Sequence, residues 1–323
     1  MKKYAIGFDI GGTKCAVVYG SYENDIEIID KIKFATSSIS SPLEIVNTLC
    51  DKTLEILKKH GKTTADIEGI GISCGSPLDP DKGIIQSPPN LPGWDNIEIV
   101  DIINERIGVK AKIQNDANAC ALAEWKYGAG KGSNNMIFLT FGTGLGAGLI
   151  LDGRLYNGVN CMAGEIGHVR LTEYGPVGYG KAGSCEGYCS GGGIASLAQT
   201  RVLEVLQRGE KVSFCPDVDS VAHLTAKIVG DAAENGDELA KAIYAESGKY
   251  LGRTLSILVD LLNPEKIVIG SIYARSTELL RSHMLAEMEK QCVPINFKSV
   301  EVVPAALGEK IGDIAALAIA LVD

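Results

Sequence analysis

Two glycine-rich segments carry residue types that handle anions. Asp9-Ile10-Gly11-Gly12-Thr13-Lys14 sets two glycines, a hydroxyl and an ammonium side by side. Glycines at a turn let backbone N–H groups approach an anion, and the Thr13 hydroxyl and Lys14 ammonium can bond phosphate oxygens. Asp9, at the end of the preceding strand, is a hard oxygen ligand suited to magnesium held through water. Gly142-Thr143-Gly144-Leu145-Gly146 repeats the pattern. Either hairpin taken alone also reads as an ordinary turn. Asn115-Asp116-Ala117-Asn118 precedes a helical run, so Asp116 is either a helix cap or a fixed carboxylate able to accept a proton from a hydroxyl nucleophile. Glu165 and His168 are spaced to turn both side chains to one side of a helical turn or tight loop. Two competing motifs fail: Gly61-Lys62-Thr63 ends like a P-loop but Ile56 stands where its first glycine belongs, and Gly142 to Ala147 matches G-x-G-x-x-A yet runs into a strand where a dinucleotide fold needs a helix.

These residues need elements to hold them. Lys3 to Phe8 and Ala16 to Tyr19 read as a hairpin tipped by the first loop, and Ile26 to Phe34 alternates as a third strand. Ser41-Pro42-Leu43-Glu44 opens a helix running to Gly61, with Leu43, Val46, Leu49, Leu54 and Leu57 as its apolar positions. Ile67 to Cys74 reads as a buried strand, Gly75 to Trp94 as irregular chain, 97–107 as a helix and Val109 to Ile113 as a strand, with the helical run Ala119 to Tyr127 after Asp116. A second hairpin, Asn135 to Thr140 and Ala147 to Leu151, repeats the outline of the first. The glycine-rich segment 153–193 follows, then helices over 190–208, 220–234 and 237–262, a strand Lys266 to Ile269, a helix 275–290, a strand Ser299 to Val303 and a last helix Ile311 to Val322. The pattern is that of two α/β halves, each led by a hairpin.

Composition narrows the function. The chain has 323 residues, 46% hydrophobic and 22% charged, enough for two domains with a core each. With 31 Lys+Arg against 40 Asp+Glu the net charge of −9 repels nucleic acid. The longest apolar run, Ile314 to Val322, falls short of the ~20 residues that span a bilayer. The apolar stretch after Met1-Lys2-Lys3 is cut at Asp9, too early for a signal peptide. A cytoplasmic protein without membrane contact is expected. Nine scattered cysteines suit reduced thiols better than a disulfide framework.

Taken in order, Asp9 to Lys14, Asn115 to Asn118, Gly142 to Gly146 and Gly164-Glu165-Ile166-Gly167-His168 resemble the ROK family of sugar kinases and related regulators, within the actin/hexokinase/Hsp70 fold group, from residue 4 to the C-terminus. The resemblance implies two ribonuclease-H-like α/β domains, with ATP and sugar in the cleft between them and a C-terminal helix packed back on the first domain. The expected boundaries are 1–116 with the helix of about 305–323, and 117–304. Asp116 then matches the family's catalytic base. Gly11, Gly12, Thr13, Lys14, Gly142, Thr143 and Gly144 match its phosphate loops, Gly270 its adenosine motif, and Asn90, Asn115, Glu165, His168 and Glu186 its sugar-binding positions, with ATP and magnesium as implied cofactors and a homodimer as the implied assembly. The activity expected is transfer of a phosphoryl group from ATP to the 6-hydroxyl of a hexose, glucose first, with N-acetylmannosamine or N-acetylglucosamine as alternatives. A non-catalytic sugar-binding protein is the reading of another class. The family's repressors carry a helix-turn-helix ahead of the phosphate loop, which here begins at residue 9 of an acidic chain, so DNA binding is not expected.

The chain departs from the family pattern at its zinc motif. Aligning Glu186 and Ser190-Gly191 places Val177, Tyr179 and Ser184 where the cysteines belong, so no structural zinc is expected. Cys185 and Cys189 are either ligands of a different site with His168 or buried small hydrophobes. Ser271 replaces the second glycine of the adenosine motif and is expected to crowd the nucleotide, and Cys74-Gly75-Ser76-Pro77 stands where Pro-Gly-Pro is usual.

Overall fold

A computed structural model describes residues 2–36 and 41–322; Met1 and Asp323, which the expected boundaries include, lie outside the described residues. Along the chain come β1 (Lys3–Ile10), β2 (Lys14–Tyr22), β3 (Ile26–Ala35), α1 (Pro42–Lys59), β4 (Ile70–Cys74), β5 (Leu78–Asp79), β6 (Ile84–Ile85), α2 (Ile99–Ile107), β7 (Ala111–Asn115) and α3 (Asp116–Tyr127). Then follow β8 (Met136–Phe141), β9 (Leu145–Leu151), β10 (Arg154–Leu155), β11 (Val177–Gly178), β12 (Lys181–Ala182), α4 (Cys185–Tyr188), α5 (Gly191–Gln207), α6 (Ala226–Glu234) and α7 (Glu238–Leu262). The last elements are β13 (Lys266–Ile269), α8 (Ile272–Arg275), α9 (Thr277–Gln291), α10 (Pro294–Ser299), β14 (Glu301–Pro304) and α11 (Ile311–Leu321).

The strands make two five-stranded sheets of one design. The first runs β3-β2-β1-β4-β7, with β1 to β3 antiparallel and β4 and β7 parallel to β1. The second runs β10-β9-β8-β13-β14, with β13 parallel to β8 and β14. This is the expected mixed α/β fold of two ribonuclease-H-like halves. The region read as irregular, Gly75 to Trp94, holds the small hairpin β5-β6, whose two-residue strands are too short for any periodic signal. No helix among the described residues is long and apolar enough to cross a membrane.

The chain divides into two compact units: Met1–Asn134 with Gly148–Ala163 and Ala306–Asp323, and Asn135–Ala147 with Gly164–Ala305. The first unit thus extends past the expected change at residue 116. The reason is α3, whose Ala119 and Ala123 share a buried cluster with Ile314, Ala315, Ala318 and Ile319 of α11. Buried Glu124 completes the attachment: one carboxylate oxygen accepts from Ala129 N and Ala306 N, the other from Leu307 N at 2.9 Å. A carboxyl group out of water is tolerable only with partners of this kind. On α1 the buried stripe is Ile45, Val46, Leu49, Cys50, Thr53, Ile56 and Leu57, while Leu43 and Leu54 face solvent. Ser41 caps this helix, its side chain accepting from Glu44 N. In the second unit Gly248 and Gly252 of α7 let the backbone of α9 come close, since a Cβ on Gly252 would stand 2.5 Å from Met284 O.

Helix α11 lies on a surface of β1, β2 and β4 paved with glycine. A Cβ on Gly71 would stand 2.0 Å from Ala316 O, and one on Gly20 would stand 2.4 Å from Leu317 Cδ1. Gly71→Ala must therefore push the helix off the sheet, and overpacking of this kind costs about 1–3 kcal/mol or more. A lowered urea midpoint is expected; a variant as stable as its parent would contradict the packing.

Candidate functional site

In the first unit, the loop between β1 and β2 closes on itself through Gly11 N, which donates to Lys14 O at 3.1 Å. Thr36, at the end of β3, pins it from outside: its hydroxyl donates to Gly11 O at 2.8 Å and its N–H to Thr13 O at 3.0 Å. Gly12 is required by steric fit, because a Cβ there would stand 2.2 Å from Asn90 O. The Asn90 side chain in turn lies over Gly75, where a Cβ would stand 3.0 Å from Asn90 Oδ1. Gly75 thus gives part of the Cys74-Gly75-Ser76-Pro77 segment a task that its sequence did not reveal. The N–H groups of Gly12 and Thr13 donate to no acceptor among the described residues, and Gly12, Thr13 and Lys14 are exposed.

Asp9 is partly buried, and its carboxyl is held above the ordinary value by burial first, with Asp313 and Asp116 adding repulsion and Lys31 and Lys14 working against it. Lys31 and Asp313 form an ion pair, both largely shielded from solvent. Neither was singled out from sequence, although Asp313 is the lone acidic residue of an otherwise apolar last helix.

Asp116 is the first residue of α3, not its cap. Asn115 holds the cap position, with extended backbone and its Oδ1 accepting from Asn118 N at 2.7 Å. Gln114 accepts from Asn115 N and from Asn118 Nδ2, and Asn157 accepts from Gln114 Nε2 and Asn118 Nδ2, so an amide network holds the strand end. Asp116 keeps accessible surface, yet protein atoms crowd it enough that loss of hydration raises its pKa above 3.8, only partly offset by the Ala117 N–H that donates to it at 2.8 Å.

In the second unit, the loop between β8 and β9 mirrors the first. Gly142 N donates to Gly144 O, while Gly191 N and Gly192 N of α5 donate to Gly142 O and Thr143 O. Thr143 N and Gly144 N donate to no acceptor among the described residues. Leu145 N donates to Glu186 Oε2 at 3.0 Å, and the same oxygen fills the space of a Gly144 side chain, 2.6 Å from where its Cβ would be. Glu165 and His168 flank a tight turn, with His168 Nε2 3.7 Å from Glu165 Oε2 and both side chains about two-fifths exposed. The sequence spacing is thus realised as one shared side of a turn.

A cavity of about 940 Å³ borders Gly142, Thr143, Gly191, Lys227, Ser271 and Arg275. Gly270 follows β13, its N–H donating to Leu139 O. Ser271 follows with φ of 52° and ψ of −116°, a conformation natural to glycine and strained for serine.

Cys185 and Cys189 are fully buried in and just after α4, where burial pushes the Cys185 thiol up to about 11 and the Cys189 thiol well above its ordinary value. They form no ligand group with His168: among the described residues, the three-ligand grouping is Asp79, Asp81 and Cys161.

A family model described as the ROK family matches residues 5–322 of this chain. A protein named glucokinase from Halalkalibacterium halodurans is 33% identical over 312 residues, 96% of this chain and 92% of its own length. A xylose repressor from Bacillus spizizenii is 28% identical over 95% of this chain and 74% of its own length. A solved ROK family glucokinase from Streptomyces griseus, in complex with glucose and AMPPNP, aligns with a TM-score of 0.75 and 28% identity, covering 97% of this chain and 98% of that one.

The backbone of Ser271 yields a stability test. Ser271→Gly removes a strain of about 1–3 kcal/mol and adds back about 0.5–1 kcal/mol of chain entropy, so a net gain of about 1 kcal/mol is expected in denaturant unfolding. A loss of stability would show that the serine side chain contributes more than its backbone costs.

Proposed function

Because the chain belongs to the ROK family, we propose that it is an ATP-dependent sugar kinase that phosphorylates the 6-hydroxyl of an aldohexose, with glucose as first acceptor and N-acetylmannosamine or N-acetylglucosamine as the alternatives. The observation that carries this reading is Asp116: its capping duty is taken by Asn115, and its pKa is raised, as suits a proton acceptor. Similarity to glucokinases supports the choice of glucose.

In the proposed mechanism the Asp116 carboxylate accepts the proton of the sugar hydroxyl as its oxygen bonds to the γ-phosphorus, and the bond from that phosphorus to the β,γ-bridging oxygen breaks to release ADP. The paired N–H groups of Gly12 and Thr13, and of Thr143 and Gly144, with the hydroxyls of Thr13 and Thr143 and the Lys14 ammonium, are assigned to phosphate oxygens. Gly270, Ser271 and the cavity beside them are assigned to the nucleoside. Asp9 fits a magnesium ion held through water, since a dication would relieve the repulsion it feels from Asp116 and Asp313. Magnesium, when bound, supplies neutralisation of phosphate charge. Asn90, Asn115, Glu165, His168 and Glu186 are assigned to sugar hydroxyls, where carboxylates and amides fork to vicinal oxygens. A cytoplasmic homodimer belongs to the same proposal.

The repressor match favours a second reading, a sugar-binding regulator without turnover. An ADP-release assay over a panel of hexoses and N-acetylhexosamines separates the two: sugar-dependent ADP formation supports the kinase, and sugar binding without it supports the regulator. In the active protein Glu165→Gln should raise KM for sugar far more than KM for ATP, by about 1–3 kcal/mol. Equal effects on both substrates would remove Glu165 from the sugar site. Thr143→Val should lower kcat/KM for ATP and leave sugar affinity intact.

A further inference from the structure

The hairpin β11-β12 has a turn made of Tyr179 and Gly180, both with positive φ, 45° and 75°. Two-residue turns of this kind take Asn-Gly or Gly-Gly, because a side chain at the first position is strained. Tyr179 accepts that strain and is nevertheless 66% exposed, so burial does not repay it. Its ring instead packs on one neighbour: the centroids of Tyr179 and His168 lie 5.1 Å apart with the ring planes at 88°, the favoured edge-to-face arrangement. The opposite strand reaches the same residue, since Lys181 Nζ donates to His168 O at 2.7 Å. At the hairpin's base, Gly178 presses on the Glu186 backbone, where a Cβ would stand 2.5 Å from Gly187 N and 2.9 Å from Glu186 Cβ. One short hairpin therefore touches both His168 and Glu186.

We propose that Tyr179 and Lys181 are positioning residues for the sugar: the hairpin fixes the His168 imidazole beside Glu165 and thereby sets affinity for the hexose. The inference rests on the assignment of His168 to the sugar. Lys181 fixes the backbone of the turn, and Tyr179 packs against the ring.

Tyr179→Asn is the decisive variant, because asparagine suits the turn and removes only the ring. Its thermal midpoint should equal or exceed that of the parent, sugar KM should rise roughly tenfold as the imidazole loosens, and ATP KM should stay unchanged. Tyr179→Phe keeps the ring and should restore the parent KM, while Lys181→Met should raise sugar KM in the same direction. A readout independent of turnover comes from NMR of the four histidines of the full chain. The His168 ring signal, assigned with His168→Gln, should move on Tyr179→Asn as the tyrosine ring current disappears, and hold in Tyr179→Phe. An active parent whose sugar KM is untouched by Tyr179→Asn, or a His168 signal that does not move, overturns the proposal. A parent that turns over no sugar removes the kinase reading, and the NMR arm still decides whether the Tyr179 ring lies against His168.

Discussion

The hydrogen bond from Asn118 N to Asn115 Oδ1 decides what the carboxylate beside it is for. A helix start leaves N–H groups without partners, and the side chain that satisfies them is committed to structure. Here the commitment falls on Asn115, and Asp116 is left at the first turn of α3 with its pKa raised by lost hydration. A carboxyl whose pKa is raised on folding binds more protons folded than unfolded, so stability falls as pH rises from the ordinary carboxylate range through the raised value. Asp116 and Asp9 both act in this sense, which makes the first unit less stable at neutral pH than it would be with neutral groups at these places. Groups held against stability in this way are a mark of functional sites.

Holding such groups requires a stiff frame. In the first unit α11 sits against a sheet whose Gly7, Gly20 and Gly71 leave no Cβ where the helix comes closest, and Glu124 ties the chain entering α11 to α3, the helix that Asp116 begins. Asp313 of α11 meets Lys31 of β3 beside Asp9. The two phosphate-type loops solve one packing problem with different parts. Gly12 yields its side-chain space to Asn90 O, and Gly144 yields its own to the Glu186 carboxylate. Each loop spends its first glycine N–H on closing the turn and keeps the next two N–H groups.

Much of this was legible in the sequence where chemistry and periodicity coincide. The hairpins stood out as apolar strands around glycine turns, and Lys266 to Ile269 was bounded to the residue. Distinguishing Asn115 from Asp116 as the cap was beyond sequence, because both residue types cap about equally well and only the backbone decides. The long-range partners Lys31, Asp313 and Thr36 were illegible for a different reason: each meets its site across the sheet, from a strand or helix whose local pattern says nothing about that meeting. The helix expected over 275–290 is α9, which begins two residues later at Thr277, and the four-residue α8 ahead of it is too short to leave a periodic signal. Leu43 and Leu54 were misplaced on α1 because Ile45, Thr53 and Ile56 complete a stripe turned away from them.

The account turns on Asp116 as the acceptor of the sugar proton, and the most direct test is kcat of Asp116→Asn across pH with saturating ATP, magnesium and sugar. The parent should lose activity as pH falls through a value above that of an ordinary aspartate. The variant should lose about 10²–10⁴-fold in kcat at neutral pH while its thermal midpoint stays level or rises. A variant that keeps more than about a tenth of the parent kcat, above even the low end of general-base contributions, would contradict the account.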